Sequence, residues 1–137
     1  MSDKYNGGCL CGSVRYEING SLSNPMLCHC KVCQKQSGSA VSTIIGVAKK
    51  DISISGQVKT ITTPADSGRD IDRQFCPECG SPLFSISETF PDVIFVKVGT
   101  FDDTSWYKPQ INIWSGSAQN WFPMDDNLMG FPGNPGG

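Results

Sequence analysis

The sequence predicts a mainly β fold built from short strands. Three observations support this prediction. Residues 13–19 alternate between polar and apolar side chains, which is the period of a half-buried strand. No segment keeps the 3.6-residue period of an amphipathic helix over three turns. The 15 glycines and 9 prolines indicate many turns in a chain of 137 residues, and we expect a single domain over residues 1–137.

The first half of the chain follows this pattern in order. Val14, Tyr16 and Ile18 form the apolar side of the first strand, and Asn19-Gly20 and Asn24-Pro25 then bracket a turn region. A short strand is expected at residues 26–28. One helical turn is expected over 32–36, and a buried strand over 40–47.

The second half continues with further strands. A hairpin is expected around Ser55-Gly56-Gln57, because apolar β-branched residues stand on both sides of it. Residues 62–72 are polar and are expected to form a loop. Strands are expected at three apolar segments: residues 83–86, 93–98 and 111–114. Residues 130–137 are rich in Gly and Pro and are expected to form a loose tail.

Composition and charge narrow the function. The net charge of −2 counts every cysteine as neutral, so metal-bound thiolates would make the protein more acidic. Nucleic-acid binders usually carry a basic patch, so we expect no nucleic-acid partner. The first residues lack the apolar run of a signal peptide, and no segment has the length of a membrane helix. We therefore expect a soluble cytoplasmic protein with no membrane partner.

Seven cysteines carry the main functional signal. In the cytoplasm disulfides are rare, so clustered cysteines indicate metal ligands or redox thiols. Seven divides into four, which closes a tetrahedral zinc site, and three, which leaves one position open. The cysteines form three groups in the sequence: Cys9 and Cys11; Cys28, Cys30 and Cys33; and Cys76 and Cys79.

The first and third groups are suited to one structural zinc. A Cys-x-x-Cys pair followed by Gly80 can grip a metal in a tight turn, since glycine permits a positive φ. In an extended chain Cys9 and Cys11 point the same way, and they can supply the other two ligands. The alternative is that these cysteines are buried and inert.

The second group predicts a second zinc held by Cys28, Cys30 and Cys33. His29 stands between two of these cysteines and is expected to point away from the metal, as a surface or supporting imidazole. Two alternatives remain: a redox-active thiol group without metal, and a different division of the seven sulfurs. A three-thiolate zinc is a weak Lewis acid, and its natural fourth ligand is water or a soft sulfur. Making or breaking a carbon–sulfur bond fits such a site better than peptide hydrolysis.

The order of the three motifs resembles the glutathione-dependent formaldehyde-activating enzyme (GFA) family, which includes the GFA domain of centromere protein V. The similar segments are Gly8-Cys9-x-Cys11-Gly12, Cys28-His29-Cys30-x-x-Cys33 and Arg73-x-Phe75-Cys76-x-x-Cys79-Gly80. The similarity spans about residues 5 to 122.

The resemblance implies a β-tent fold of short antiparallel strands and two zinc ions per chain. It implies a structural zinc on Cys9, Cys11, Cys76 and Cys79, and an exchangeable one on Cys28, Cys30 and Cys33. The implied activity is that of a carbon–sulfur lyase acting on S-hydroxymethylglutathione. The implied partner is a small thiol or a glutathione adduct.

Two residues bear on the reaction. Asn112 stands where family members often have a histidine, and an amide cannot titrate. Arg73 is a candidate for binding an anionic group of the substrate, and its alternative is a solvated strand residue. Besides the lyase, the sequence leaves open a non-catalytic zinc-stabilised binding module and a redox or metal-sensing protein.

Overall fold

Residues 3–134, which the computed structural model describes, form eleven strands and one α-helix. The mainly β prediction is confirmed. The strands are β1 Lys4–Gly8, β2 Arg15–Asn19, β3 Leu22–Cys28, β4 Ser42–Ala48, β5 Ile52–Ser55, β6 Lys59–Pro64, β7 Asp70–Phe75, β8 Pro82–Ser87, β9 Val93–Lys97, β10 Ile111–Ile113 and β11 Met129–Phe131. The helix, α1, is Lys31–Ser37.

The strands form two sheets. One is three-stranded and antiparallel, in the order β1-β2-β5. The other is eight-stranded, in the order β11-β10-β3-β4-β9-β8-β7-β6. Its pairs are antiparallel except that β10 runs parallel to both β3 and β11, so this sheet is mixed.

The two sheets pack together around the main apolar core. Val14, just before β2, and Tyr16 and Ile18 on β2 are at most 3% exposed, as their alternation predicted. They pack in one cluster with side chains from the central strands β4, β8 and β9 of the large sheet, including Val47 and Phe84. Burial of such side chains is the largest favourable contribution to folding.

Helix α1 packs on the other face of the large sheet. Cys33 of α1 lies in a second apolar cluster with Met26, Ile44 and Ile113, which come from β3, β4 and β10. The helix ends at Gly38, which has a φ of 70° and donates its N–H to the carbonyl of Gln34. A glycine in the left-handed conformation is a common C-cap, and Gly38 ends the helix in this way. The helix therefore holds its cysteines against the sheet.

Two loop predictions are wrong. Strands β5 and β6 do not pair with each other across Gly56, because β5 joins β2 and β6 joins β7. The polar segment 62–72 is not all loop, because β6 continues to Pro64 and β7 begins at Asp70. Strand β6 lies at the edge of the sheet and its side chains are mostly exposed, so polar residues are tolerated on both of its faces. The sequence of β6 therefore shows no alternation of polar and apolar residues that would have predicted a strand.

The expected turn at Asn24-Pro25 is also wrong. These residues lie inside β3, where the register with β4 shifts between Ser23 and Met26. Asn24 has a φ of 52°, and proline is tolerated in a strand at such an irregularity. Asn24 and Pro25 therefore mark a bulge within β3, and the strand continues from it to Cys28.

The expected loose tail needs a partial correction. Met129–Phe131 forms β11 at the edge of the large sheet. Trp114 then donates its backbone N–H to the carbonyl of Gly133 and its Nε1–H to Oδ1 of Asn134. These hydrogen bonds hold residues 130–134 to the sheet, and residues 135–137 of the expected tail lie outside the described residues. Within residues 3–134, no helix has the length and apolar character required to cross a bilayer.

Candidate metal centres

The sulfur atoms gather in two places. The Sγ atoms of Cys9, Cys11, Cys76 and Cys79 all lie within 4.8 Å of one another, and so do those of Cys28, Cys30 and Cys33. All seven cysteines are free thiols. The fold thus brings together the same four and the same three residues that the sequence grouped, and their role as zinc ligands remains a prediction.

Two glycine-terminated turns build the four-cysteine cluster. Cys9 and Cys11 lie in the turn after β1, which Gly12 closes by donating its N–H to the carbonyl of Cys9 at 3.2 Å. Cys76 and Cys79 lie between β7 and β8, in a turn that Gly80 closes in the same way on Cys76 at 2.8 Å. Both glycines have a φ near 80°. Leu10 is 89% exposed, so it points away from the sulfurs. Cys9 and Cys11 therefore face the same side, as expected, although the backbone there is a turn and not an extended strand.

Hydrogen-bond donors point at these four sulfurs. The N–H of Val14 lies 3.3 Å from the Sγ of Cys9. The hydroxyl of Ser13 lies 3.2 Å from the Sγ atoms of both Cys11 and Cys76. Hydrogen bonds from the hydroxyl and the backbone of Ser81 lower the pKa of Cys79 to about 5. Such donors stabilise thiolates, which are the form that binds metal.

The separations between the sulfurs match a tetrahedral zinc site. With zinc–sulfur bonds of about 2.3 Å, two sulfurs of a tetrahedron lie about 3.8 Å apart. In the four-cysteine cluster the Sγ of Cys11 lies 3.6 Å from that of Cys9 and 3.8 Å from that of Cys76. In the three-cysteine cluster the Sγ atoms of Cys28 and Cys30 lie 3.5 Å apart. A soft, all-sulfur donor set at these distances suits zinc in both places.

The three-cysteine cluster lies where β3 meets α1. Cys28 ends β3, Cys30 is the N-cap of α1, and Cys33 follows in the first helical turn. The N–H of Cys33 donates to the Sγ of Cys30 at 3.2 Å, so the cap that starts the helix also orients a sulfur. All three cysteines are buried, with at most 8% of their surface exposed. This cluster has no fourth cysteine, acidic residue or histidine among the ligand atoms of the described residues.

Two buried cations face the three-cysteine cluster. Arg73 on β7 places Nη1 3.8 Å from the Sγ of Cys33, and Lys97 on β9 donates from Nζ to the Oγ of Ser42 at 2.6 Å. Hydrogen bonds from Cys28 and Cys30, followed by the charges of Lys97 and Arg73, lower the pKa of Cys33. Burial lowers the pKa of Lys97, and the negative charge of Cys33 opposes this shift.

Sheet register explains why these side chains meet. Cα partners of adjacent strands carry side chains on one face, and so do residues two apart on a strand. Cys28 pairs with Ser42, and Ile44, two residues after Ser42, pairs with Lys97. Phe95, two residues before Lys97, pairs with Ser85, and Ser85 pairs with Arg73. One face of five neighbouring strands therefore carries a polar row, defined as Cys28, Ser42, Lys97, Ser85 and Arg73.

His29 points away from the sulfur atoms, as expected, but it is not at the surface. Its ring is fully buried, and its Nε2 lies 2.9 Å from the Oδ1 of Asn112 on β10. Phe122 packs edge-on against the ring at 6.0 Å between centroids. Asn112 also donates from Nδ2 to the carbonyl of Asp125 at 3.4 Å. Asn112 stands where family members often have a histidine, and here it is hydrogen-bonded to the only histidine of the chain.

Sequence reasoning found Arg73 and missed three members of the polar row. Arg73 is 4% exposed, so it is not the solvated strand residue that was its alternative. Lys97, Ser42 and Ser85 were missed because their neighbours depend on strand order. One signal was available for Lys97: it is the single charged residue in the apolar segment 93–98, and a buried charge requires a partner.

An open cavity of about 650 Å³ lies on the outer face of α1. Lys31, Gln34, Lys35 and Gly38 line it, and these positions share one face of a helix. Trp121, which is 68% exposed, lies at its other side. Cys33 projects from the opposite face of the helix, so this cavity and the three-cysteine cluster are separate.

Comparison with known proteins gives a family match over most of the chain. Residues 4–117 match the family model described as glutathione-dependent formaldehyde-activating enzyme. A protein of Penicillium rubens named "Putative glutathione-dependent formaldehyde-activating enzyme" is 33% identical over 118 residues, which are 80% of this chain and 61% of that protein. A protein of the same name from Aspergillus flavus is 30% identical over 107 residues, covering 74% of this chain and 56% of that protein. The chain therefore spans about 60% of the length of the first of these relatives.

The fold is similar to that of a protein whose crystal structure is known. A crystal structure of a Rhodobacter sphaeroides protein superposes with a TM-score of 0.57 at 18% sequence identity. The superposition covers 71% of this chain and 87% of that one. At this identity the likeness concerns the fold alone.

Proposed function

The chain belongs to the family of glutathione-dependent formaldehyde-activating enzymes, and from this premise we propose that it is a zinc-dependent carbon–sulfur lyase. Its proposed substrate is the adduct of a thiol with a small aldehyde, such as S-hydroxymethylglutathione. A cytoplasmic location is part of the proposal, because the reaction needs reduced thiols on both the protein and the substrate.

One observation carries this proposal. The three-cysteine cluster is buried, its sulfurs lie within 4.8 Å of one another, and it lacks a fourth ligand among the described residues. A tetrahedral zinc held by Cys28, Cys30 and Cys33 would keep one position for a substrate. We propose that Cys9, Cys11, Cys76 and Cys79 hold a second, structural zinc, which gives two zinc ions per chain.

The reaction balances without any further reactant. When the adduct forms, the thiol releases its proton, the thiolate sulfur attacks the carbonyl carbon, and a carbon–sulfur bond forms. The oxygen takes the carbonyl electron pair and one proton, which balances the proton that the thiol released. In the reverse direction the hydroxyl loses its proton, the carbonyl re-forms, and the sulfur leaves with the bonding pair. Zinc bound at the three cysteines would lower the pKa of the substrate thiol and favour its thiolate form.

The side chains around the cluster have supporting tasks. Arg73 is proposed to bind an anionic group of the substrate, since its guanidinium is buried beside Cys33. Asn112 fixes the ring of His29, and thereby the backbone between Cys28 and Cys30. The low exposure of the three cysteines excludes bulk water from the reacting sulfur.

Exchange spectroscopy tests the activity. Glutathione and carbon-13 formaldehyde interconvert with their adduct, and the exchange rate can be measured by NMR with and without the zinc-loaded protein. We expect the protein to accelerate exchange, Cys30→Ser to abolish the acceleration, and the exposed control Ser53→Ala to retain it. An unchanged exchange rate with the wild-type protein would exclude the lyase.

A non-catalytic binding module is the second candidate, and one observation favours it. The only histidine of the chain is buried and hydrogen-bonded to Asn112, and it is not among the ligand atoms of the three-cysteine cluster, so no histidine lies at the proposed substrate position. If the module is correct, glutathione binds to the zinc-loaded protein without faster exchange of the adduct.

A further inference from the structure

We propose that Arg73, with Ser85 and Lys97 beside it, forms a buried subsite that binds a carboxylate group of the substrate. The subsite lies on the polar row next to the three-cysteine cluster. The inference rests on the proposed function for the identity of the substrate, because it specifies which chemical group accompanies the reacting thiol or aldehyde.

The free edge of the Arg73 guanidinium carries the argument. Nη1 lies 3.8 Å from the Sγ of Cys33, whereas Nε and Nη2 are buried and have no hydrogen-bond partner among the described residues. Nε–H and Nη2–H share one edge of the guanidinium and point in the same direction. Two parallel N–H donors match the two oxygens of a carboxylate, and such bidentate pairs are strong and geometrically specific.

Ser85 and Lys97 place further polar side chains on the same face of the sheet as Arg73. Ser85 is the Cα partner of Arg73, on the same face of the sheet, and its Oγ is likewise buried without a partner in residues 3–134. Lys97 belongs to the same row, and its Nζ donates to Ser42, which leaves further ammonium hydrogens for another acceptor. Leaving buried donors unpaired costs free energy, so unpaired donors from neighbouring strands point to a bound acceptor.

The charges also favour an anion. With zinc bound, the three thiolates would carry a formal charge of minus one, and Arg73 together with a protonated Lys97 would add two positive charges. The buried region would then be positive until an anionic group enters. A carboxylate satisfies both the charge and the paired donors, whereas a neutral hydroxyl satisfies neither.

The carboxylate has two possible sources with the same chemistry. It can belong to the thiol, as in glutathione, or to the carbonyl compound, as in a 2-oxo acid such as glyoxylate. Formaldehyde carries no carboxylate. Arg73 contacts Cys33 with one edge of its guanidinium and would hold the carboxylate with another edge. The carboxylate would therefore lie close to the three-cysteine cluster, where the substrate sulfur reacts.

The first test uses formate as the probe and requires no catalysis. Zinc-loaded protein with nitrogen-15 arginine is titrated with formate, and the Arg73 Nε–H signal is identified from its loss in Arg73→Gln. We expect formate to shift this signal saturably. The control is the Nε–H signal of the exposed Arg69, identified from its loss in Arg69→Gln, which formate should leave in place. A signal that formate does not move overturns the subsite.

The second test uses two thiols of similar size. Mercaptoacetate carries a carboxylate where 2-mercaptoethanol carries a hydroxymethyl group, and calorimetry measures their binding to the zinc-loaded protein. We expect mercaptoacetate to bind about tenfold more tightly, which is about 1.4 kcal/mol, because its carboxylate can accept charge-assisted hydrogen bonds from Arg73. Arg73→Lys, which keeps the charge but loses the paired donors, should remove most of this preference. Should Arg73 variants fail to fold, Ser85→Ala should reduce the preference.

The outcomes separate the two proposals. Equal affinity for both thiols, unaffected by Arg73→Lys, overturns the subsite and leaves the lyase standing. Binding of neither thiol overturns the proposed function, and the formate titration then decides the subsite alone. Two further probes identify the source of the carboxylate. If glutathione esterified at its glycine carboxyl binds more weakly than glutathione, and Arg73→Lys removes this difference, the carboxylate belongs to the thiol. If glyoxylate binds to the wild-type protein and not to Arg73→Lys, the carboxylate belongs to the carbonyl compound.

Discussion

The Nε2 atom of His29 lies 2.9 Å from the Oδ1 atom of Asn112, and both side chains are buried. This hydrogen bond links the segment between two cysteines to β10, whose Asn112 is the Cα partner of Leu27 on β3. The pair therefore positions the backbone of the three-cysteine cluster from the side opposite its sulfurs.

Replacing Asn112 with Leu should destabilise the protein. The change leaves the buried Nε2 of His29 without its partner, which costs about 1–3 kcal/mol. Urea denaturation of the zinc-loaded protein measures the loss. The matched control is Asn127→Leu at an exposed position, which should change the free energy of unfolding little. Equal stability of the two variants would show that the His29–Asn112 hydrogen bond is not needed.

Removing the Ser13 hydroxyl should weaken zinc binding at the four-cysteine cluster. Its Oγ lies 3.2 Å from the sulfurs of Cys11 and Cys76, where it stabilises thiolate charge. Loss of such a supporting hydrogen bond typically lowers metal affinity about 10- to 100-fold. Competition with a chelator measures the affinity of Ser13→Ala against the control Ser53→Ala. Identical chelator midpoints would refute a role for Ser13.

The two cysteine clusters should differ in what their metal does. Cys76→Ser should lose zinc and unfold, because its cluster joins the turn after β1 to the loop between β7 and β8. Cys30→Ser should lose one zinc ion and keep its far-ultraviolet circular dichroism, since the core between the sheets lies elsewhere. Elemental analysis with circular dichroism checks both variants. Unfolding of Cys30→Ser alone would reverse the proposed assignment of structural and substrate-binding metal.

Stability should fall as the pH rises from about 10 to about 12. Burial raises the pKa of Tyr107 to about 12, against about 10 in an unfolded chain. In this window the unfolded state loses the tyrosine proton before the folded state does, so rising pH favours unfolding. Burial raises the pKa of Tyr16 as well, with the same sign.

The variant Tyr107→Phe should reduce this slope without abolishing it, because Tyr16 remains. It also removes the hydrogen bond from the Tyr107 hydroxyl to the carbonyl of Met26 at 2.8 Å. Chemical denaturation at a series of pH values measures the slope. A slope identical to that of the wild-type protein would show that Tyr107 does not titrate in this window.

The sequence predicted the parts of the site that depend on local pattern. The turn at Cys76 and Cys79, the strand that ends at Cys28 and the helical turn within α1 each follow from spacing within a few residues. Cys9 and Cys11 were expected on an extended chain and lie in a turn instead. The family resemblance to glutathione-dependent formaldehyde-activating enzymes is confirmed by the match over residues 4–117.

Strand pairing could not be predicted in the same way. Gly56 indicated a turn correctly, with a φ of 93°, but the partners of β5 and β6 are chosen by distant segments. The sequence predicted β10 within residues 111–114, but it gave no sign of β11 or of the parallel pairing of β10 with β3 and β11. The polar row depends on the register of five strands, so Lys97, Ser42 and Ser85 came into view only with the fold.

Cadmium-113 NMR of the cadmium-loaded protein tests the central claim most directly, because cadmium replaces zinc among thiolates and reports on each site separately. The account predicts two resonances, of which only one moves when glutathione is added and that same one is missing in Cys30→Ser. A single resonance, or two resonances that glutathione leaves unmoved, would contradict it.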